Sequence, residues 1–177
     1  MALIKLHDKE FDTYLSEETI QQKIKEIASK INEDYKERRP LFIAILNGSF
    51  MFASDLFKHL NINAEICFIK LASYKGMKSS GQITTAIGLD QDLYQRDVII
   101  VEDIVDTGKT LNEFLPKLFH HQPASLKIAA LLHKPAATVH PLTIDYLGFT
   151  IPDKFVVGYG LDYDGLGRNL KELYQLV

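Results

Sequence analysis

The sequence predicts an α/β fold, a mainly parallel sheet covered by helices on both faces. Short, almost wholly apolar runs such as "LFIAIL" (Leu41–Leu46) and "DVIIV" (Asp97–Val101) have the character of strands buried on both sides. Segments whose apolar residues recur at helical spacing lie between such runs, so strand and helix alternate through the central part of the chain. No linker, internal repeat or low-complexity stretch divides the 177 residues, which predicts a single domain over 1–177.

Each element has its own signal. The first strong one is "SEETIQQKIKEIASKINEDYKERR". Ser16 can cap it, Glu17 and Glu18 suit the positive end of a helix dipole, and Ile20, Ile24, Ile27, Ile31 and Tyr35 form one apolar face. Pro40 stops the helix, and the strand "LFIAIL" follows. "SFMFASDLFKHL" reads as a helix and "AEICFIKL" as a strand. Residues 72–82, "ASYKGMKSSGQ", are rich in Gly, Ser and Lys and predict a mobile loop. "ITTAIGL" and "DVIIVE" are predicted strands, "GKTLNEFLPKLFHH" a helix despite Pro116, and "SLKIAALLHK" a strand. The remainder, from "TIDYLGF" on, has short strand-like pieces and turns.

Composition removes several function classes. Hydrophobic residues are 46% and charged residues 24%, ordinary for a globular domain, and the net charge is −3. No basic surface points to nucleic acid. No apolar run approaches a membrane span, and "MALIKLHDKEF" lacks the apolar core of a secretory signal, so a cytoplasmic protein is expected. The single cysteine, Cys67, excludes an internal disulfide and reads as an inert buried thiol.

The most informative stretch is "VIIVEDIVDTGKTL", Val98–Leu111. A β-branched run leads into Glu102 and Asp103, then a third acid, Asp106, opens the turn Thr107-Gly108-Lys109-Thr110. A P-loop requires glycine five positions before its Gly-Lys pair, and Asp103 stands there instead. No dinucleotide fingerprint is present either. A capped helix with no ligand would account for Asp106 or Thr107 alone, but not for two adjacent acids at the end of an apolar strand. A sugar phosphate that carries a metal accounts for both halves. Backbone N–H groups from Asp106 to Thr110 would hold a phosphate, helped by the Thr107 and Thr110 hydroxyls and the close approach that Gly108 allows. Glu102 and Asp103 would meet the sugar hydroxyls or Mg²⁺.

This stretch resembles the phosphoribosyl-diphosphate (PRPP) loop of the type I phosphoribosyltransferases, and most of all their hypoxanthine–guanine branch. The resemblance covers the chain from about Leu41 to Arg168. It implies that family's fold, with a core at about 40–150 and a small hood made by the N-terminal segment and about 151–177. "ILNGSF" resembles the pyrophosphate loop, which assigns Asn47 and Gly48 to that ligand. Relatives commonly carry Lys at the place of Asn47 and often Gly at that of Ser49, and often have a cis bond matching Leu46–Asn47. "ASYKGMKSSGQI" resembles the flexible closing loop, with Ser73 and Tyr74 matching its recurrent pair. In "LLHKP" and "IPDKFVVGYGLDYDGLGR", Lys134 matches the lysine that donates to a purine 6-oxo group, Phe155 the stacking aromatic, and Val156 the residue whose main chain reads the base edge. Asp162 matches a magnesium ligand and Arg168 a pyrophosphate contact. Relatives often have another basic residue shortly after Lys134. Ala136 and Ala137 follow here, and nothing is carried over to them.

The resemblance implies transfer of 5-phosphoribosyl from PRPP to N9 of hypoxanthine or guanine, giving IMP or GMP and pyrophosphate, with Mg²⁺ as cofactor and Asp106 as general acid/base at purine N7. It also implies a homodimer or homotetramer. Two alternatives stay open: a PRPP-dependent transferase for another base, and a non-catalytic PRPP-binding regulator. Lys134 argues against adenine, whose 6-amino group is a donor.

Overall fold

The structure is a computed structural model that describes residues 3–73 and 83–177. Its core is a six-stranded sheet in the order β5-β4-β3-β6-β7-β8. The strands are β3 (Leu41–Leu46), β4 (Glu65–Ser73), β5 (Ile83–Ile87), β6 (Asp97–Val105), β7 (Ser125–His133) and β8 (Tyr146–Thr150). Neighbours pair in parallel from β4 across to β8, and β5 is an antiparallel edge on β4. The mainly parallel sheet read from the sequence is therefore the sheet of the structure.

Strand alternation sorts the core into two layers. Phe42 and Ala44 of β3, Ile99 and Val101 of β6, and Ala129 and Leu131 of β7 pack toward helices α1 (Glu17–Asp34) and α2 (Phe50–Lys58). Leu41, Ile43, Ile45, Val98, Ile100, Ile128 and Ala130 face the other way, toward Leu111, Phe114 and Leu118 of helix α3 (Lys109–Phe119). Ser16 caps α1, its Oγ accepting from the Thr19 N–H at 3.3 Å. The apolar stripe Ile20, Ile24, Ile27, Ile31, Tyr35 is buried throughout.

Three details differ from the sequence reading. Strand β6 does not stop at Glu102 but continues to Val105, paired with β7 as far as Val105↔His133. Strand β4 runs through Ala72 to Ser73, so the expected loop starts later; Tyr74 and the rest of it, to Gln82, lie outside the described residues. The N-terminus, which showed no clear signal, forms a hairpin of β1 (Leu3–Leu6) and β2 (Lys9–Leu15). Strand β2 also pairs with β10 (Leu173–Leu176), and β10 with β9 (Val156–Val157), giving a four-stranded antiparallel sheet from the two chain ends. Phe11 and Val157 are fully buried in its core, which also holds Tyr174. Among the described residues no helix is long and apolar enough to cross a membrane.

Candidate active site

The strand order reverses between β3 and β6, because β4 and β5 lie on one side of that pair and β7 and β8 on the other. Ligands of open α/β sheets bind in the crevice beyond the carboxyl ends of strands at such a switch point. The two strands pair only as far as Ala44↔Val101. Beyond Val101, β6 leaves β3 and stays with β7, so Glu102 and Asp103 lie at the edge of the opening.

On the β3 side the chain turns through a cis Leu46–Asn47 peptide bond. A side chain on Gly48 would overlap the Asp103 carboxylate, since a Cβ there would fall on top of Oδ2. Glycine at 48 thus brings the two loops into contact. Ser49 is fully buried and its Oγ donates to the Ile45 carbonyl at 2.6 Å, which anchors the start of α2. A glycine there would leave that carbonyl without this donor, so the departure from the family pattern has a local structural role.

The two acids on β6 have unusual electrostatics. Burial raises the Glu102 carboxyl well above its ordinary range, and the Asp103 charge raises it further. Glu102 Oε2 is inaccessible and has no hydrogen-bond partner among the described residues. Burial also pushes Asp103 up to about 6, against a bond from the Ile104 N–H at 2.8 Å and the nearby Arg168 charge, with Asp162 adding repulsion. Arg168 Nη1 donates to the Gly160 carbonyl at 2.7 Å, and its Nη2 is 2.6 Å from Asp162 Oδ1. The other Asp162 oxygen accepts from the Gly165 N–H at 2.7 Å. Gly160 lies against the Gly48 carbonyl, so the 46–49 and 158–168 loops converge on the end of β6 and the turn that follows it.

The phosphate-type turn surrounds a small concavity, open to solvent and lined by Glu102, Ile104, Asp106, Thr107, Gly108 and Thr110. Gly108 is the N-cap of α3 in the left-handed region, φ 77°, and supplies no side-chain cap. Thr107 Oγ1 accepts from the Lys109 N–H at 3.3 Å, and the Lys109 ammonium points away toward Glu113, 3.8 Å distant. A segment the sequence reading left unassigned braces this turn. The Val139 and His140 N–H groups both donate to the Thr107 carbonyl at 3.0 Å, and Thr138 Oγ1 reaches the carbonyls of Asp106 at 3.0 Å and Lys134 at 2.9 Å. Nothing in "PAATVHP" distinguishes such a brace from a surface turn, because its work is done by backbone groups and one hydroxyl.

At the other end stands Lys134, buried at 7% exposure, its N–H held by the Val105 carbonyl at 2.9 Å. Its ammonium lies 3.5 Å from Asp106 Oδ2 and 3.7 Å from Asp153 Oδ1. Asp153 was not singled out by the sequence reading, although it lies within the stretch "IPDKFVVGYGLDYDGLGR". Phe155 keeps 43% of its surface exposed, while its ring packs edge-on to Tyr163 at 5.7 Å and tilted on Phe11 at 6.2 Å. Val156 pairs with Gln175 in the small sheet. The side chain of Ser73 and all of Tyr74 lie outside what the structure describes.

A phosphoribosyl transferase domain matches residues 10–164. The chain belongs to the phosphoribosyltransferase family. It is 43% identical to the hypoxanthine-guanine phosphoribosyltransferase of Lactococcus lactis, over 92% of this chain and 90% of that one. Among solved structures, a hypoxanthine phosphoribosyltransferase from Staphylococcus aureus has a TM-score of 0.88 at 38% identity, covering 94% of this chain and 91% of that one. The Trypanosoma cruzi hypoxanthine phosphoribosyltransferase, solved as a ternary substrates complex of a point mutant, has a TM-score of 0.87 at 39% identity over 93% and 94% of the two chains. The six-stranded sheet with its antiparallel companion is thus the fold of this phosphoribosyltransferase family. Among the described residues no group of three His, Cys, Asp or Glu side chains is arranged to hold a metal ion.

Proposed function

We propose that this phosphoribosyltransferase is a purine-salvage enzyme that moves 5-phosphoribosyl from PRPP to N9 of hypoxanthine or guanine, forming IMP or GMP and pyrophosphate. The observation that carries the reading is a buried ammonium, Lys134, beside a carboxylate, Asp106, that opens the phosphate turn at a sheet switch point. A lysine ammonium has three donors and no acceptor, which suits a 6-oxo purine and not a 6-amino one.

The turn Asp106–Thr110 would take the 5-phosphate on its backbone N–H groups at the start of α3, with Thr107 and Thr110 as further donors and Lys109 adding charge at its rim. Glu102 and Asp103 would accept from the ribose hydroxyls. Glu102 Oε2, without a hydrogen-bond partner among the described residues and beside a second buried carboxyl, would take a donor or a cation. Mg²⁺ fits these hard oxygen donors, since it typically takes one or two carboxylates with substrate phosphates and keeps several waters. Glu102, Asp103 and Asp162 are not gathered into a ready-made three-carboxylate site, so each would meet it singly or through water alongside PRPP oxygens, and it would supply charge neutralisation for the departing pyrophosphate.

Arg168 and the backbone at Asn47 and Gly48 would bind pyrophosphate; Arg168 would exchange its Asp162 partner for that anion. Phe155 would stack on the base, the Val156 main chain would read its edge, and Lys134 would donate to O6. Asp106, next to Lys134, would exchange the proton at N7. The test is turnover of purified protein with PRPP and Mg²⁺ against hypoxanthine, guanine, xanthine and adenine, read as nucleotide and pyrophosphate formed. IMP or GMP with little or no AMP is expected. Turnover of adenine alone, or PRPP binding with no product from any base, would point to the two alternative readings.

A further inference from the structure

We infer that Asp153 is a positioning residue for base recognition: it shares the Lys134 ammonium with Asp106 and so keeps it aimed at the base instead of collapsed onto the neighbouring carboxylate. This rests on the function proposed above. The Lys134 side chain is only 8% exposed, so its charge needs acceptors inside the protein. Among the described residues it has two ionic partners, Asp106 at 3.5 Å and Asp153 at 3.7 Å. Both distances exceed the roughly 2.7–2.9 Å of a tight ammonium–carboxylate bond. The ammonium is suspended between two carboxylates, and the third of its donors is left for a ligand oxygen.

Asp153 is placed to do this by backbone. The Ile151 N–H donates to the His133 carbonyl at 2.9 Å, which ties the segment bearing Asp153 to the residue just before Lys134. Pro152 and a bond from the Lys154 N–H to its carbonyl, 2.8 Å, make a tight local turn. Two residues further on the same segment delivers Phe155. The segments bearing the lysine, its second counter-ion and the exposed aromatic ring are thus tied together through the backbone. Without Asp153, the carboxylate left to Lys134 among the described residues is Asp106. Lys134 would close onto it, withdrawing the ammonium from the base and masking the carboxylate.

The experiment compares wild type, Asp153→Asn and Asp153→Glu, each also in a Lys134→Ala background. The Asp153 side chain is 58% exposed, so matched circular dichroism and Tm are expected and checked first. Asp153→Asn should raise KM for hypoxanthine roughly two- to fivefold, the upper part of the range for an ion pair with one exposed partner. It should lower the hypoxanthine-to-adenine ratio of kcat/KM and leave KM for PRPP unchanged. Asp153→Glu should restore most of the loss. In the Lys134→Ala background Asp153→Asn should have no further effect, because the residue acts through that lysine. Unchanged hypoxanthine KM in an active Asp153→Asn enzyme, or an equal loss with and without Lys134, overturns the role of Asp153 alone. Wild type that cannot use hypoxanthine would instead overturn the underlying function, and the inference with it.

Discussion

Asp103 shows at the scale of one residue how the site opposes the fold. Its carboxyl is raised to about 6, chiefly by burial, and Glu102 beside it is raised well above the ordinary range. A carboxyl whose folded pKa lies above its unfolded value favours the fold while protonated; that contribution is full below about 4 and is lost as pH rises through about 6. Ligand-free Asp103→Asn should therefore match wild type in Tm near pH 4 and exceed it near pH 7.5, where wild type carries an ionised, buried carboxylate. Melting curves across that range give the check, and a Tm difference independent of pH would remove the charge argument. The three acids Glu102, Asp103 and Asp106 were legible in sequence as a group, because a polar cluster after a β-branched run has few bland explanations. Their setting within the sheet was not legible. Polar residues normally mark a strand's end, whereas here the backbone stays bonded to β7 through Val105 and places Glu102 and Asp103 inside the strand.

At the scale of elements, the start of α3 is held from two sides, by its own Thr107 hydroxyl and by the 138–140 segment. Gly108 is the pivot, with φ 77° and the His140 carbonyl oxygen standing where a Cβ would need room. Gly108→Ala should cost about 1–3 kcal/mol of stability, from the left-handed backbone and displacement of that carbonyl. It should also raise KM for PRPP while changing KM for the base much less. Equal effects on both substrates would mean that the turn is not specific to the phosphate end. Helix α1 could be read from its apolar spacing and its Ser16 cap, since those signals are local. The hairpin and small sheet could not be read that way. Strand β2 draws its partner β10 from the opposite end of the chain, Tyr174 facing Thr13, and only the folded chain completes that apolar face. The 135–140 brace was invisible for a related reason, because backbone hydrogen bonds leave little trace in residue identity.

The whole molecule assembles one crevice from segments far apart in its sequence. Sheet order supplies the opening between β3 and β6, Gly48 lets the two loops touch, and the 158–168 loop closes the third side through Gly160, Asp162 and Arg168. The parallel core followed from the alternation of apolar strands and helices, and membership of the phosphoribosyltransferase family now accounts for the order of the loops. The central claim is that the base end of this crevice reads a 6-oxo purine through Lys134. The measurement that tests it most directly is kcat/KM for hypoxanthine and adenine in wild type and Lys134→Ala. An unpaired buried donor costs about 1–3 kcal/mol, and more when charged, so this contact should contribute roughly tenfold to over a hundredfold discrimination. The variant should lose that much of the hypoxanthine preference, through KM for the base, with PRPP affinity nearly unchanged. The same hypoxanthine-to-adenine ratio in both proteins would contradict the account, because Lys134 would then stand in the crevice without reading the base.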